Sequence, residues 1–180
     1  GKSFDIHTGG IDLIFPHHEN EIAQSEASSG KKFVNYWLHN GWVMVDGKKM
    51  SKSLGNFYKL RDIVEKGYSP MDLRYFYLTK NYRESINFTW NNLEASKKAL
   101  QRLKNIISET KDDGKTNKKY LDEFEGAMND DLNSSKALQV LWKVIRDEKA
   151  VGKIKTIRKI DEVFGLNLFK QEKVEIPEEV

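Results

Sequence analysis

Four runs of apolar residues in the second half of the sequence repeat at the spacing of one helix face, and they restrict the fold more than any other feature. Each run predicts an amphipathic helix that must bury its apolar side. The joints between the runs are polar, and Glu109–Lys119 has no apolar residue. We therefore predict an all-α antiparallel helix bundle over residues 89–168. The runs are Leu93, Leu100, Leu103 and Ile107; Tyr120, Phe124, Ala127 and Met128; Ala137, Leu138, Leu141, Val144 and Ile145; and Ile154, Ile157, Ile160 and Phe164.

The first half of the sequence has a mixed pattern, which predicts an α/β unit. Phe4–His7 alternates apolar and polar residues like a strand, and the Thr-Gly-Gly sequence at residues 8–10 is expected to end it. A helix with proline as its first residue is predicted over residues 16–28, with Gly30 as its stop. The apolar spacing in Lys31–His39 predicts a second short helix.

The region that follows carries clear helix boundaries. Residues 57–66 predict a strand followed by a helix that Gly67 ends. Ser69-Pro70-Met71-Asp72 predicts the start of the next helix, with serine as the cap, proline as the first residue and an acid at the third. The side chains of that helix expected to face the core are Leu73, Phe76 and Tyr77.

Composition excludes several classes of function. The 180 residues contain no cysteine, so the chain forms no disulfide and supplies no thiolate ligand of its own. No apolar run approaches the roughly 20 residues that span a bilayer, so a membrane role is not expected. The net charge is only +3, so any contact with nucleic acid must depend on local basic patches. The expected location is the cytoplasm. The sequence begins without Met or a hydrophobic leader, so its first residue is expected to be the edge of a cut from a longer chain.

Basic residues of the predicted bundle are candidates for phosphate contacts with RNA. The alternative is that they form ordinary solvated helix faces. These residues are Lys136, Lys143, Lys149, Lys153, Lys155, Arg158 and Lys159.

The run Gly41–Asn56 combines a β-rich start with a basic loop. Asp46-Gly47 supplies the pair that tolerates positive φ in a tight hairpin turn, and Trp42 is expected to be a core residue. Lys49 and Lys52 follow on a loop that also contains serines. Such a loop suits closure on a polyphosphate, because it adds positive charge where a reacting phosphoryl group gathers negative charge. A solvated Gly/Ser turn is the alternative interpretation.

His17 and Glu21 are four residues apart on the predicted helix and therefore share one face. An imidazole and a carboxylate one turn apart are able to hold one metal ion, although two ligands alone bind weakly. The alternative is a helix-surface contact between the two side chains. A small metal-dependent hydrolase built on His17, His18 and Glu21 is one function that the pattern leaves open.

The sequence Lys49-Met50-Ser51-Lys52-Ser53 resembles the signature loop of the class I aminoacyl-tRNA synthetases. In that class the loop closes on ATP, bound with Mg²⁺, during amino-acid activation. The resemblance implies that Lys49 and Lys52 are catalytic, that Lys52 contacts the phosphates and that Ser51 lies in the ATP site.

A longer stretch within Phe4–Ser25 resembles the cysteinyl-tRNA synthetase family of this class. There the counterparts of His17 and Glu21 bind Zn²⁺ together with two cysteines, both expected outside this chain. The zinc takes the thiolate of the substrate cysteine, and the hard hydroxyl of serine is a poorer ligand. The counterparts of His7 and Asp12 surround the bound amino acid, with Asp12 suited to its α-ammonium group. For His7, a packed strand-end histidine is the alternative.

The resemblances imply a cysteine–tRNA ligase, which activates cysteine with ATP and transfers it to tRNA(Cys), acting as a monomer. In that case the chain is a fragment of the enzyme and is expected to be inactive by itself. Helix is expected to predominate in it. Its expected divisions are the C-terminal part of a Rossmann-like α/β catalytic domain (1–56), a connecting segment (57–88), a tRNA-binding helix bundle (89–168) and a tail (169–180).

Two further functions stay open alongside the hydrolase. One is a related ligase of mycothiol synthesis, which adenylates cysteine with the same zinc and lysine loop. The other is a non-catalytic helical module that binds RNA.

Overall fold

A computed structural model describes residues 2–170 of the chain. Within this range an α/β part comes first and a helix bundle follows, as predicted. The strands are β1 Phe4–Gly10, β2 Val34–Asn40, β3 Val43–Val45, β4 Lys48–Lys49 and β5 Ile86–Phe88. The α-helices are α1 Glu19–Ser29, α2 Leu60–Glu65, α3 Pro70–Leu78, α4 Trp90–Glu109, α5 Lys118–Asn129, α6 Ser134–Arg146 and α7 Lys153–Phe164. Among these helices none has the length and apolar composition needed to cross a membrane.

Strands β1 and β2 form a parallel pair that is joined through α1, with Phe4 opposite Val34 and Gly10 opposite Asn40. The prediction of a helix over residues 31–39 was therefore wrong. The backbone partner of β2 lies 30 residues earlier in the chain, so local apolar spacing does not reveal it. The prediction that residues 8–10 end β1 was also wrong, because both glycines continue the strand.

Helix α1 begins at Glu19, whereas the sequence pattern placed its first residue at Pro16. The chain first makes a tight turn over Ile11–Leu13 and a wider turn over Ile14–His18. Phe15 is extended, with φ −132° and ψ 132°, as is usual for a residue before proline. Gly30 ends the helix in the left-handed region at φ 64°, as predicted.

A second sheet contains the hairpin that carries the lysine loop. Strand β3 pairs antiparallel with β4 and parallel with β5. The hairpin turn is confirmed at Asp46 and Gly47, whose φ angles are 49° and 75°. The hairpin therefore packs with residues from much later in the chain. Its shared core consists of Val45, Ile63, Phe76, Ile86, Phe88 and Leu93.

Helix α3 begins as predicted. The hydroxyl of Ser69 accepts a hydrogen bond from the amide of Asp72, and the Asp72 carboxylate accepts one from the amide of Ser69. Of the side chains predicted to face the core, Phe76 is buried, but the prediction was wrong for Tyr77, which is 44 % exposed. Tyr75 is buried instead. The strand expected before α2 does not form, and only Leu60–Glu65 is regular in residues 57–66.

Helices α4 to α7 bury the four predicted apolar runs, within which only Met128 is partly buried. The buried residues of these runs share one core except Leu93, which belongs to the core of the second sheet. Helix α3 packs along α4, and two hydrogen bonds connect it to α6 and to the end of α7. The indole N–H of Trp142 donates to the hydroxyl of Tyr75 at 2.9 Å. The guanidinium of Arg74 donates to the carbonyl of Phe164, at the end of α7.

A surface contact joins the α5–α6 turn to the segment before β5. The guanidinium of Arg83 binds the Asp131 carboxylate with two nitrogens, and the Tyr82 hydroxyl donates to the same carboxylate at 2.8 Å. The hydroxyl of Ser134 donates to the carbonyl of Lys80. The turn is thereby fixed to the α/β part. From residue 171 onward, the predicted tail lies outside the described residues.

Candidate active site

The carboxyl ends of β1 and β2 lie at one edge of their sheet, where open α/β sheets bind ligands. Three side chains converge near this edge: His7 on β1, His18 in the turn before α1, and Glu21 on α1. Their ligand atoms all lie within 4.8 Å of one another. The cluster therefore joins a residue predicted to bind substrate, His7, to one predicted to bind metal, Glu21.

Glu21 is at the centre of this cluster. Its Oε2 lies 2.9 Å from Nε2 of His7, and its Oε1 lies 3.6 Å from Nε2 of His17. Oε2 is buried and has no partner with hydrogen-bond geometry among residues 2–170. A buried, unpaired carboxylate oxygen is costly. Imidazole and carboxylate groups so arranged are the donors that a divalent metal such as zinc takes, so the residues present fit a metal ion.

His17 and His18 differ in exposure and in the side chains that they contact. The His17 side chain is 61 % exposed and faces Glu21 across one helical turn, as its spacing predicted. His18 is 3 % exposed, and its Nδ1 lies 2.8 Å from Nε2 of His39. Burial lowers the pKa of His18, and the neighbouring imidazoles of His39 and His7 lower it further. The lowered pKa favours the neutral form of the His18 imidazole, and the contact with His39 fixes the orientation of its ring.

Gly9 allows His18 to approach the strand. A Cβ atom at Gly9 would lie 2.6 Å from Cε1 of His18, a distance that no side chain tolerates. The glycine that was expected to end β1 instead continues the strand and makes room for the buried imidazole.

Asp12 follows β1 and connects the cluster's edge of the sheet to the lysine hairpin. Its Oδ1 accepts a hydrogen bond from the indole N–H of Trp42 at 3.2 Å. The Nζ atom of Lys49 lies 4.3 Å from the centroid of the Trp42 ring. The hydrogen bond from Trp42 lowers the pKa of Asp12, and the charge of Lys49 acts in the same direction. Asp12 is therefore ionised near neutral pH, as binding an ammonium group requires.

The lysine loop is closed by the side chain of Asn56. Its Nδ2 donates to the carbonyl of Lys49 at 3.1 Å, and its Oδ1 accepts from the amide of Ser51 at 2.8 Å. The Ser51 hydroxyl accepts from the amide of Leu54 and is thus used within the loop. Lys52 is exposed in the loop, and its ammonium has no hydrogen bond or ion pair within the described part of the chain. It is available to an anionic ligand.

The site contains functional residues that sequence reasoning missed. His39 was assigned to a helix, and only the register of β2 against β1 places it beside His18. Trp42 was expected in the core, but it belongs to neither buried cluster of the described residues and instead joins Asp12 to Lys49. Asn56 had a usable signal, since an amide side chain at the end of a Gly/Ser loop is a common means of closing that loop.

Comparison with known proteins identifies the family of the chain. Residues 1–98 match the family model described as tRNA synthetases class I (C) catalytic domain, and residues 123–169 match the DALR domain. Similar curated proteins are the cysteine–tRNA ligases of Chlamydia muridarum (41% identical, covering 100% of this chain and 44% of that protein), Prochlorococcus marinus (46%, 91% and 37%) and Solibacter usitatus (48%, 82% and 34%). The chain therefore spans less than half the length of these relatives.

Two solved structures share the fold. One is the LeuRS of Agrobacterium radiobacter, in a ternary complex with tRNA and LeuAMS, with a TM-score of 0.68 over 90% of this chain and 26% of that one, at 17% identity. The other is the methionyl-tRNA synthetase of Mycobacterium tuberculosis bound by methionyl-adenylate, with a TM-score of 0.57 over 88% of this chain and 34% of that one, at 16% identity. With a family model matching more than half of its residues, the chain belongs to the class I (C) tRNA synthetases.

Proposed function

We propose that this chain is part of a cysteine–tRNA ligase, which activates cysteine with ATP and transfers it to tRNA(Cys). The observation that carries the proposal is the placement of a histidine–glutamate cluster and an ionised Asp12 beside the lysine hairpin, at one edge of the sheet. Cysteine–tRNA ligases that match this chain at 41–48% identity support it.

His17 and Glu21 are the residues proposed to hold zinc, with two cysteines supplied from outside this chain. A zinc ion held by these residues would supply a soft Lewis acid that favours a thiolate over the hard hydroxyl of serine, and would so distinguish cysteine from serine. The proximity of the two side chains supports this role, because Oε1 of Glu21 lies 3.6 Å from Nε2 of His17. His7 contacts the other oxygen of the same carboxylate and is proposed to contact the bound amino acid.

Asp12 and the lysine loop perform the remaining tasks. The Asp12 carboxylate binds the α-ammonium group and orients the amino acid. The carboxylate of the amino acid then attacks the α-phosphorus of ATP, and negative charge grows on the phosphate oxygens and the departing pyrophosphate. Lys52 and Lys49 stabilise that charge when the loop closes, with Mg²⁺ bound to the ATP.

The helix bundle is proposed to dock tRNA(Cys), in a cytoplasmic monomer. Several basic residues already have partners: Lys143 contacts Glu123 at 2.7 Å, and Lys153 donates to the carbonyl of Ile145. Phosphate contacts would therefore come first from the other exposed lysines, such as Lys149 and Lys155. Affinity for tRNA should then fall steeply as salt is raised, because phosphate contacts release counterions. Affinity that does not change with salt would contradict docking through phosphates.

The test is ATP–pyrophosphate exchange by the full-length protein with cysteine, followed by charging of tRNA(Cys). We expect exchange with cysteine, almost none with serine, and charging of the tRNA. Asp12→Asn should lose exchange, whereas Asp5→Asn, on the preceding strand β1, should not. Exchange without charging would favour a cysteine ligase of another pathway, and the absence of cysteine-dependent exchange would refute the proposal.

A further inference from the structure

We propose that Trp42 is a positioning residue that holds the amino-acid subsite and the lysine loop in one unit. Its indole N–H fixes the Asp12 carboxylate, and its ring face holds the ammonium group of Lys49. The roles of Asp12 and Lys49 rest on the proposed function, whereas the contacts between the three side chains do not.

The backbone around Trp42 is fixed on both sides. The Gly41 amide donates to the carbonyl of Tyr82 at 2.7 Å, and the Ile86 amide donates to the carbonyl of Trp42 at 2.9 Å. The Trp42 amide donates to the hydroxyl of Ser85. A Cβ atom at Gly41 would lie 2.4 Å from the Glu84 backbone, so only glycine allows this approach. The backbone that carries the indole is therefore fixed in position.

On one side, Trp42 orients Asp12. The indole N–H is a single donor with a fixed direction, and it occupies one site on Oδ1 of Asp12. A carboxylate accepts about four hydrogen bonds, so Asp12 keeps acceptor sites for a substrate ammonium. A Cβ atom at Gly10 would lie 2.5 Å from Oδ1 of Asp12, so the strand end also accommodates this orientation.

On the other side, Trp42 places Lys49. The ammonium lies over the ring face, where the attraction of a cation for an exposed aromatic ring is modest. Phosphate oxygens compete easily with an attraction of that size. The backbone of Lys49 is meanwhile fixed by Asn56 and by pairing of β4 with β3. Lys49 is thus held near Asp12 before ATP arrives and is released to the phosphates without moving its strand.

The test separates the two contacts by substitution in the full-length protein. Trp42→Phe keeps the ring and removes the N–H. We expect it to raise KM for cysteine about three- to tenfold, the range for one lost hydrogen bond, while kcat and KM for ATP stay within about twofold. Trp42→Leu removes both contacts and should also lower kcat. Trp142→Phe is the matched control, since it loses an indole hydrogen bond to Tyr75 far from the site.

A second measurement does not depend on ligase activity. The Asp12 pKa, followed by carboxyl ¹³C NMR in the 180-residue chain, should rise in Trp42→Phe and stay unchanged in Trp142→Phe. An unchanged Asp12 pKa, or a wild-type KM for cysteine in Trp42→Phe, would overturn the proposal. If the wild-type full-length protein shows no cysteine-dependent exchange, the proposed function fails, and the pKa measurement still decides whether Trp42 positions Asp12.

Discussion

Glu21 is the residue on which the histidine cluster depends, because its two oxygens face two different imidazoles. We predict that His17→Ala and Glu21→Gln each lower the zinc content of the full-length protein severalfold, since each removes one of the four proposed ligands. Zinc should be measured by mass spectrometry on protein purified without added metal. Glu19→Gln, on an exposed position of the same helix, is the control. Unchanged zinc content in both ligand variants would contradict the assignment.

A second prediction for a single residue concerns Lys52. Its ammonium has no partner in the described residues. In the proposed mechanism it contacts the phosphates only on loop closure and so stabilises the transition state more than bound ATP. Lys52→Ala in the full-length protein should slow adenylate formation by roughly a hundredfold, or about 3 kcal/mol. Affinity for cysteine should change little.

The matched control for Lys52 is Lys48→Ala, an exposed lysine on the same hairpin. Single-turnover ATP–pyrophosphate exchange separates the rate from cysteine binding. Exchange at the wild-type rate in Lys52→Ala, or a loss confined to cysteine binding, would show that the loop does not act on the phosphates.

Among the elements, α3 is where local sequence and structure agree most directly. Ser69 caps it through the Asp72 amide. Ser69→Ala should lower the free energy of unfolding of the 180-residue chain by about 1 kcal/mol, the usual cost of a lost N-cap. Urea denaturation followed by circular dichroism is the measurement. Ser69→Asp should retain most of the stability, and equal losses in the two variants would show that the cap is not the cause.

The helices and strands also show which features of the fold can be predicted from the sequence. Helices α4 to α7 bury almost all of the predicted side chains, because each apolar stripe packs on a neighbouring helix that is itself amphipathic. Strand β2 was mistaken for a helix because its hydrogen-bond partner is β1, distant in the chain. His39 and Trp42 were missed for the same reason. Their roles depend on side chains that the sheet register brings together, whereas His17 and Glu21 share a helix turn.

At the scale of the whole molecule, Asp131 holds the bundle to the α/β part. Arg83 and then Tyr82, through their hydrogen bonds, lower the pKa of Asp131 from its ordinary value of 3.8. A carboxylate whose pKa is lower in the folded state stabilises the fold above its unfolded pKa and loses that contribution as the pH falls through the folded pKa. The link between the two parts should therefore weaken in acid.

This gives a prediction for Asp131→Asn in the 180-residue chain. The variant should unfold at a lower urea concentration than the wild type at pH 7, and the difference should shrink as the pH falls below the ordinary carboxyl pKa of 3.8. Asparagine tolerates the left-handed conformation of this residue, at φ 54°, so backbone strain is not added. Asp130→Asn is the neighbouring control. A difference that persists unchanged in acid would show that ionisation of Asp131 is not its source.

The parallel pairing of β3 with β5 has a consequence for the order of folding. Trp42 and Ser85, which meet beside this pair, are 43 residues apart in sequence. Contacts between distant residues form slowly, because the intervening chain must first lose its freedom. The helices of the bundle pack on helices closer to them in sequence. We therefore expect the bundle to fold before the lysine hairpin, which reaches its final position only when β5 docks beside β3.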